Sequence, residues 1–381
     1  MTHHIYLIPG FFGFANVGRL RYFLHVRQFL IERGAARGLK MEVDVIKAPP
    51  TSSLPTRAAR LVEAIAAPRQ GRGLVHLIGH SSGGLDARLV VTPHVKLPTD
   101  VDVERCVQRI RSVVSVSTPH YGSPLASFLA GLRGQKLLEL LSVSTTYILR
   151  FGSLPLTVLL QLANIFAGLD NTGANPTLLD DLFQQLLADF SVGRRRAVQR
   201  LLSQVAKDQA LLVQLTPEGM DVFNATVRNR PGVRYGSVVT RATPPGVMST
   251  LATGLNAGAQ ASHTIYHALY HLAAQMPRTL VPELDTAAAQ ILRRAYQTLP
   301  PATANDGIVP TRAQVWGTVI QAIQADHLDV IGHFGDPSRH PPHFDWITTR
   351  SGFTREKFET LWDAVLRFIL SSEAPPQFKK R

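Results

Sequence analysis

Cysteine is all but missing. Cys106 is the single thiol in 381 residues, so no internal disulfide can form and the fold must be held by packing and hydrogen bonds. Acidic residues are also in deficit, 27 against 40 lysines and arginines, for a formal charge of +13. That balance admits an anionic partner such as nucleic acid or a phospholipid surface. The excess is mostly arginine spread along the chain, however, and is dense only at Arg194-Arg195-Arg196 and Lys379-Lys380-Arg381. No nucleic-acid-binding motif accompanies those runs, so a solvated basic surface is expected and no nucleic-acid partner. Long apolar runs are lacking too. The most apolar stretch, residues 154–169, is interrupted by Thr157, Gln161 and Asn164 and falls short of the ~20 residues a membrane span needs. Met-Thr-His-His leads at once into Ile5-Tyr6-Leu7-Ile8, with neither the basic nor the long apolar region of a secretory signal. The expected location is cytoplasmic.

What is present is a large apolar fraction, 45%, and an alternating pattern. Strand-like runs at 5–8, 41–46, 74–79 and 112–117 each end abruptly in a loop. Helix-like segments lie between them at about 18–33, 56–67 and 83–91. This alternation predicts an α/β fold with a mostly parallel sheet and helices on both faces. In such sheets chemistry gathers at the carboxyl ends of the strands. After Ser123 the pattern changes. From about 124 to 220 the chain reads as nearly all helix, strand character returns at 233–240, and a last long helix covers about 354–371. The expected organisation is a core of residues 1–123 and 221–372, a helical cap or lid inserted at 124–220, and a mobile tail at 373–381.

The segment Gly79-His80-Ser81-Ser82-Gly83 follows the apolar run Leu74-Val75-His76-Leu77-Ile78. Two glycines bracketing a serine at i−2 and i+2 have the form of a nucleophile elbow, where the serine Oγ stands free on a strained strand-to-helix turn. An ordinary serine-rich loop fits the pentapeptide equally well. A serine nucleophile also needs a base, an acid that orients the base, and donors for an oxyanion. Asp306 in NDGIVP and His327 in DHLDVIGHFG supply the acid and base types in the order serine, acid, histidine. Alone, Asn-Asp-Gly is a common turn and His327 an ordinary histidine. Together, at strand-to-loop junctions, they make a triad candidate. The oxyanion donors expected are the amides of Ser82 and of Phe11, which follows Pro9-Gly10 after the first strand.

These motifs resemble the bacterial triacylglycerol lipases and esterases of the α/β-hydrolase superfamily. The similarity covers most of 4–129 and resumes around 212–335. It runs through GHSSGGLDAR, VSVSTPHYGSPLA, LTPEGMDVFNATV with GVRYGSVVT, NDGIVP and DHLDVIGHFG. The resemblance implies an α/β-hydrolase fold with a large helical cap and cleavage of lipid carboxylic esters through an acyl-enzyme, with no cofactor required for the chemistry. It also implies transient contact of the cap with a lipid interface. Pro9-Gly10 departs from the family's histidine-glycine, no signal peptide like that of the secreted members is expected, the single cysteine cannot form their disulfide, and the block at about 170–210 has no counterpart.

Other histidines compete for the base. His120 is expected to shape the pocket and the His80 side chain to point away from the site; His333, His340 and His343 follow the proposed base closely, the last two in a Pro-rich loop expected on the surface. The resemblance further implies a structural calcium ion, with Asp329 two residues after His327 and Asp285 before the acid as its ligands. Two carboxylates suit a hard, oxygen-seeking cation. The alternative is that Asp329 caps a turn and Asp285 caps a helix. Triad residues do not separate hydrolysis from acyl transfer or polyester cleavage, nor exclude a non-catalytic member that binds lipid or a partner.

Overall fold

The structure is a computed structural model that describes residues 2–11, 22–67, 73–151, 154–168, 176–246, 257–335, 349 and 351–371. Six strands among these residues form one parallel sheet. They are β1 (Thr2–Ile8), β2 (Lys40–Val45), β3 (Leu74–His80), β4 (Ile110–Val116), β5 (Arg234–Arg241) and β6 (Thr318–Gln324), in the order β2-β1-β3-β4-β5-β6. The chain moves outward from β1 to β2 and then crosses to β3 on the other side of β1. That reversal opens a crevice at the carboxyl ends of β1 and β3, where open α/β sheets bind ligands. The register pairs Ile8 with Gly79 and His80 with Val116. Pro9-Gly10, Ser81 and Ser117 therefore leave the sheet along one edge.

Helices cover both faces. On one side lie α1 (Val26–Ala35) and the C-terminal helix (Arg355–Leu370), which buries Phe358, Leu361, Trp362, Val365 and Ile369 at helical spacing. Trp362, fully buried, donates its indole N–H to the Val330 carbonyl at 2.8 Å. On the other side α2 (Leu54–Ala66) buries Leu54, Ala58, Leu61, Val62 and Ile65 and is capped by the Ser53 hydroxyl. It packs on α3 (Ser82–Val91), all ten residues of which are buried. The helix expected over about 18–33 begins only at Val26, after His25 at φ 63°. The residues before it are tied elsewhere. Leu24 N–H donates to the Ile331 carbonyl at 2.8 Å, and His333 Nε2–H donates to the Tyr22 carbonyl at 2.8 Å. Positions 18–21 lie outside the described residues, as do His340, His343 and the expected tail at 373–381.

After α4 (Val103–Val107), the connection from β4 to β5 is helical. It contains α5 (Pro124–Ala130), α6 (Leu132–Phe151), α7 (Leu156–Ala167), α8 (Pro176–Ala188), α9 (Val192–Lys207), α10 (Ala210–Gln214) and α11 (Pro217–Thr226). The next helix, α12 (Ala257–Ala273), enters between β5 and β6 yet packs against α7 and α5. The helical layer thus draws on two connections. Two further α-helices follow among the described residues: α13 (Thr286–Tyr296) packs against β6, and the C-terminal helix is α14. No helix among the described residues is long and apolar enough to cross a membrane.

Candidate active site

Each glycine around Ser81 has a steric reason. A methyl group on Gly79 would meet the Gly83 carbonyl carbon at 2.2 Å, and one on Gly83 would meet the Ile8 carbonyl oxygen at 2.2 Å. The turn from β3 into α3 therefore closes on itself and on the end of β1, and side chains at both glycine positions are excluded. Ser81 stands at φ 54° and ψ −133°, a conformation that costs a non-glycine residue about 1–3 kcal/mol and clusters at functional sites. Its N–H donates to the Val116 carbonyl at 2.9 Å. Ser82 opens α3, so its amide is among the N–H groups that a helix start leaves without an intrahelical acceptor.

The structure brings Asp306 and His327 together. The Asp306 Oδ2 accepts from His327 Nδ1 at 2.9 Å, and the His327 amide donates to the Asp306 carbonyl at 3.1 Å. Because a carboxylate only accepts, Nδ1 carries the proton and Nε2 is left with a lone pair. Asp306 is buried and fully engaged. Oδ1 takes the amides of Ile308 at 3.0 Å and Val309 at 2.8 Å, and Oδ2 also takes Thr240 Oγ1 at 2.8 Å and Gln314 Nε2 at 3.2 Å. These bonds hold the carboxylate in one orientation toward the imidazole.

Ser81 and His327 open on the same apolar pocket, together with Phe11, Leu129, Leu212 and Leu215. It holds about 60 Å³, small beside the ~300–1,000 Å³ usual for small-molecule sites. The loop bearing Phe11 is anchored from behind. Arg57, fully buried, donates to the Pro9 carbonyl at 2.7 Å and to Asp86 Oδ2 on α3 at 2.7 Å. Burial pushes the Asp86 carboxyl up to about 6 against the pull of Arg57. One guanidinium thus fixes both the strand-end loop and the helix that follows Ser81.

Two histidines differ from expectation. His120 does not line the pocket, whose wall there is Pro119 and Ser123. Its Nδ1 accepts from Arg88 at 3.1 Å and its Nε2–H reaches Ser115 Oγ at 2.9 Å. Arg88 is buried, with its guanidinium 3.3 Å from the Trp316 ring centroid, so His120 and Trp316 brace the loop after β4 from the side away from the pocket. His80 does lie outside the pocket lining, but it is bonded to the site: its Nε2 is 2.8 Å from the His327 carbonyl and its Nδ1 is 2.6 Å from Tyr22 Oη. A signal for it was available. His76, Ile78 and His80 share one face of a buried strand, and a polar side chain there needs partners.

Asp285 and Asp329, the ligands expected for calcium, are each engaged by protein groups. Asp285 is exposed and caps α13, accepting from the Ala288 amide at 2.7 Å. Asp329 is buried, and its Oδ2 accepts from Ser351 Oγ at 2.7 Å and the Asp326 amide at 2.9 Å. Among the described residues no group of three or more His, Cys, Asp or Glu side chains gathers at one point.

No family model matches the chain. Over 147 residues it is 34% identical to a triacylglycerol lipase of Pseudomonas fragi, a stretch amounting to 37% of this chain and 44% of that protein. The chain resembles bacterial lipases and esterases. The likeness in sequence spans less than half the length of that curated relative, while the likeness in fold covers nearly the whole chain. The lipase of Staphylococcus hyicus superposes with a TM-score of 0.52 at 14% identity, covering 97% of this chain and 96% of that one. Lipase 1 from Pelosinus fermentans gives 0.53 at 15%, covering 96% and 98%. At such identities the lipase-like architecture is what is shared.

Proposed function

We propose that the chain is a serine hydrolase that cleaves carboxylic esters of lipids through an acyl-enzyme. The observation that carries this reading is the His327–Asp306 pair at 2.9 Å, with His327 opening on the same apolar pocket as Ser81 on its strained turn. Ser81 Oγ attacks the ester carbonyl as His327 Nε2 takes its proton. Asp306 holds the Nδ1–H tautomer and favours the imidazolium that forms. The amides of Phe11 and Ser82 stabilise the tetrahedral oxyanion. His327 returns the proton to the departing alkoxide, and the acyl chain stays on Ser81. Water, deprotonated by the same imidazole, then attacks the acyl-enzyme and releases the acid. The residues in these roles need no cofactor for either step. The identity with a triacylglycerol lipase over 147 residues supports a lipid ester as substrate, which reaches the pocket beneath α5 and α10.

The test is labelling with a fluorophosphonate probe, together with hydrolysis of a p-nitrophenyl ester series and an emulsified triglyceride. The expected outcome is a single label on Ser81 and measurable turnover. Ser81→Ala should remove the label and lower kcat by about 10⁶-fold. Labelling at Ser82 or Ser117, or turnover retained by the alanine variant, would overturn the assignment.

A further inference from the structure

The proposed reaction sets a geometric problem. Ser81 follows β3 in the middle of the sheet, whereas His327 follows β6 at its edge, with β4 and β5 between. The loop carrying the base must reach back across two strands and stop with its imidazole over Ser81. The oxyanion loop comes from β1, on the opposite side of β3. Proximity catalysis requires the groups on these three loops to keep one spacing.

One buried chain of hydrogen bonds connects all three. The Gly10 amide donates to Tyr22 Oη at 3.0 Å, Tyr22 Oη lies 2.6 Å from His80 Nδ1, and His80 Nε2 lies 2.8 Å from the His327 carbonyl. The ends dictate the direction. An amide can only donate and a carbonyl can only accept. Tyr22 Oη therefore accepts from Gly10 and gives its own proton to Nδ1, and His80 is the neutral tautomer with its proton on Nε2. Burial, with the neighbouring His327 and His333 rings, pushes the His80 imidazole well below the ordinary histidine range, in keeping with that neutral form. Tyr22 and His80 are both buried, and the His80 ring centroid lies 4.6 Å from that of His327. The main chain around Tyr22 is joined to the same base loop, through His333 Nε2 to the Tyr22 carbonyl and through the Leu24 amide to the Ile331 carbonyl.

We propose that Tyr22 and His80 are positioning residues which lock the oxyanion loop and the base loop at one spacing across the nucleophile. The proposal rests on the reading of Ser81 and His327 given above. His80 is the residue directly before Ser81, so the nucleophile's own strand holds the backbone of its base. Removing either link leaves a buried donor or acceptor unpaired and breaks the side-chain connection between the two loops. The loss should fall on the transition state, where oxyanion and imidazolium form together, more than on substrate binding.

The experiment compares wild type, Tyr22→Phe, His80→Leu, His80→Gln and the Tyr22→Phe/His80→Leu double variant on p-nitrophenyl butyrate, with melting temperatures and fluorophosphonate labelling. Tyr22→Phe and His80→Leu should each lower kcat by about 10–100-fold while KM changes less than about threefold, as expected for misplacement of reacting groups. The double variant should lose little more than the worse single one, because the residues act as one chain. His80→Gln, whose side-chain amide can donate to the His327 carbonyl and accept from Tyr22, should recover most of kcat. A purely structural role would lower the melting temperature of all variants and leave kcat of the folded fraction within about twofold, which would overturn the proposal. If His80→Leu does not fold, Tyr22→Phe, which keeps the ring, decides alone. Absence of ester turnover or of a Ser81 label in the wild type would instead overturn the hydrolase reading on which the proposal stands.

Discussion

A methyl group on Gly10 would stand 2.4 Å from the Ser81 Cβ and 3.0 Å from its Oγ. Glycine is therefore required here by the proximity of two strand-end loops. Gly10→Ala must push the loop away from Ser81 and carry the Phe11 amide with it. Displacement of reacting groups by about 1 Å costs on the order of 10²-fold in rate. The variant should lose about that much in kcat/KM on a soluble ester, with a small fall in melting temperature. Unchanged turnover would show that Phe11 is not an oxyanion donor.

The buried histidines make stability pH-dependent. His76 bridges His3 Nδ1 at 3.1 Å and Ser112 Oγ at 2.8 Å, and burial pushes its imidazole down to about 3, helped by His3 and Arg111. Its folded value lies below the unfolded one near 6.5, so its contribution is complete above pH ~6.5 and is lost as the pH falls toward 3. The slope is about 1.4 kcal/mol per pH unit. His80 and His120 are shifted the same way, whereas Asp86 and Asp326, both raised to about 6, act in the opposite sense. Comparison with His76→Gln isolates the one residue. The stability advantage of wild type over the variant, from urea unfolding, should shrink by about 2 kcal/mol between pH 7 and pH 5. An equal difference at both pH values would mean that His76 takes up a proton without cost.

The parts of the site visible in the sequence are those set by local covalent geometry. Gly79 and Gly83 bracket Ser81 because the turn has no room for Cβ atoms, and that constraint is written within five residues. Ser81 and His327 were visible for a related reason, since each follows a strand, whereas Asp306, expected at a strand end, stands in the loop between α13 and β6 beside the isolated bridge Asn305–Pro310. What could not be read was the set of partners distant in sequence. Nothing near Tyr22 shows that its hydroxyl meets Gly10 and His80, or that its carbonyl takes His333, and those contacts are why the helix begins at Val26 instead of about 18. The β6 strand, Thr-Val-Ile-Gln-Ala-Ile-Gln, was not singled out because it is an edge strand, only partly buried, and its glutamines dilute the apolar run. His120 looked like a pocket residue by its place after β4, but Arg88, from a different helix, draws its ring the other way.

The loop bearing the base is held by protein groups. Asp326 Oδ1 accepts from the Leu328 amide at 2.8 Å and the Asp329 amide at 2.9 Å, and its Oδ2 accepts from Thr349 at 3.1 Å. Asp329, buried beside this second carboxylate, has its own carboxyl pushed well up, by burial first and then by Asp326. A chelator should therefore leave the melting temperature and activity unchanged, and added calcium should shift neither. Asp329→Asn replaces this raised carboxyl with a neutral amide beside Asp326 and should be neutral or stabilising at pH 7. Ser351→Ala, which deprives Asp329 Oδ2 of a donor, should cost about 1–3 kcal/mol. Loss of stability in both EDTA and Asp329→Asn would instead reveal a bound cation at this carboxylate.

The pocket beside Ser81 sets a length. About 60 Å³ is open within it, and one water-sized group needs roughly 10–15 Å³ of such space, so about four to six methyl or methylene groups fit. Its wall is built from Leu125, Ala126 and Leu129 on α5 and from Leu212 and Leu215 at α10, and these two helices pack against each other. With the leaving group held constant, kcat/KM on p-nitrophenyl esters should peak at acyl chains of about four to six carbons. Beyond that length the chain must run out of the pocket or the helices must part, and either exposes apolar surface at about 25 cal/mol per Å². Leu129→Ala and Leu212→Ala should move the peak to longer chains, and Ala126→Leu to shorter ones. A series that varies the alcohol at fixed acetyl should respond little to these substitutions. A wild-type rate that climbs steadily through twelve to sixteen carbons would mean that longer chains extend out of the pocket or that α5 and α10 separate during turnover, and the pocket would then not be the ruler.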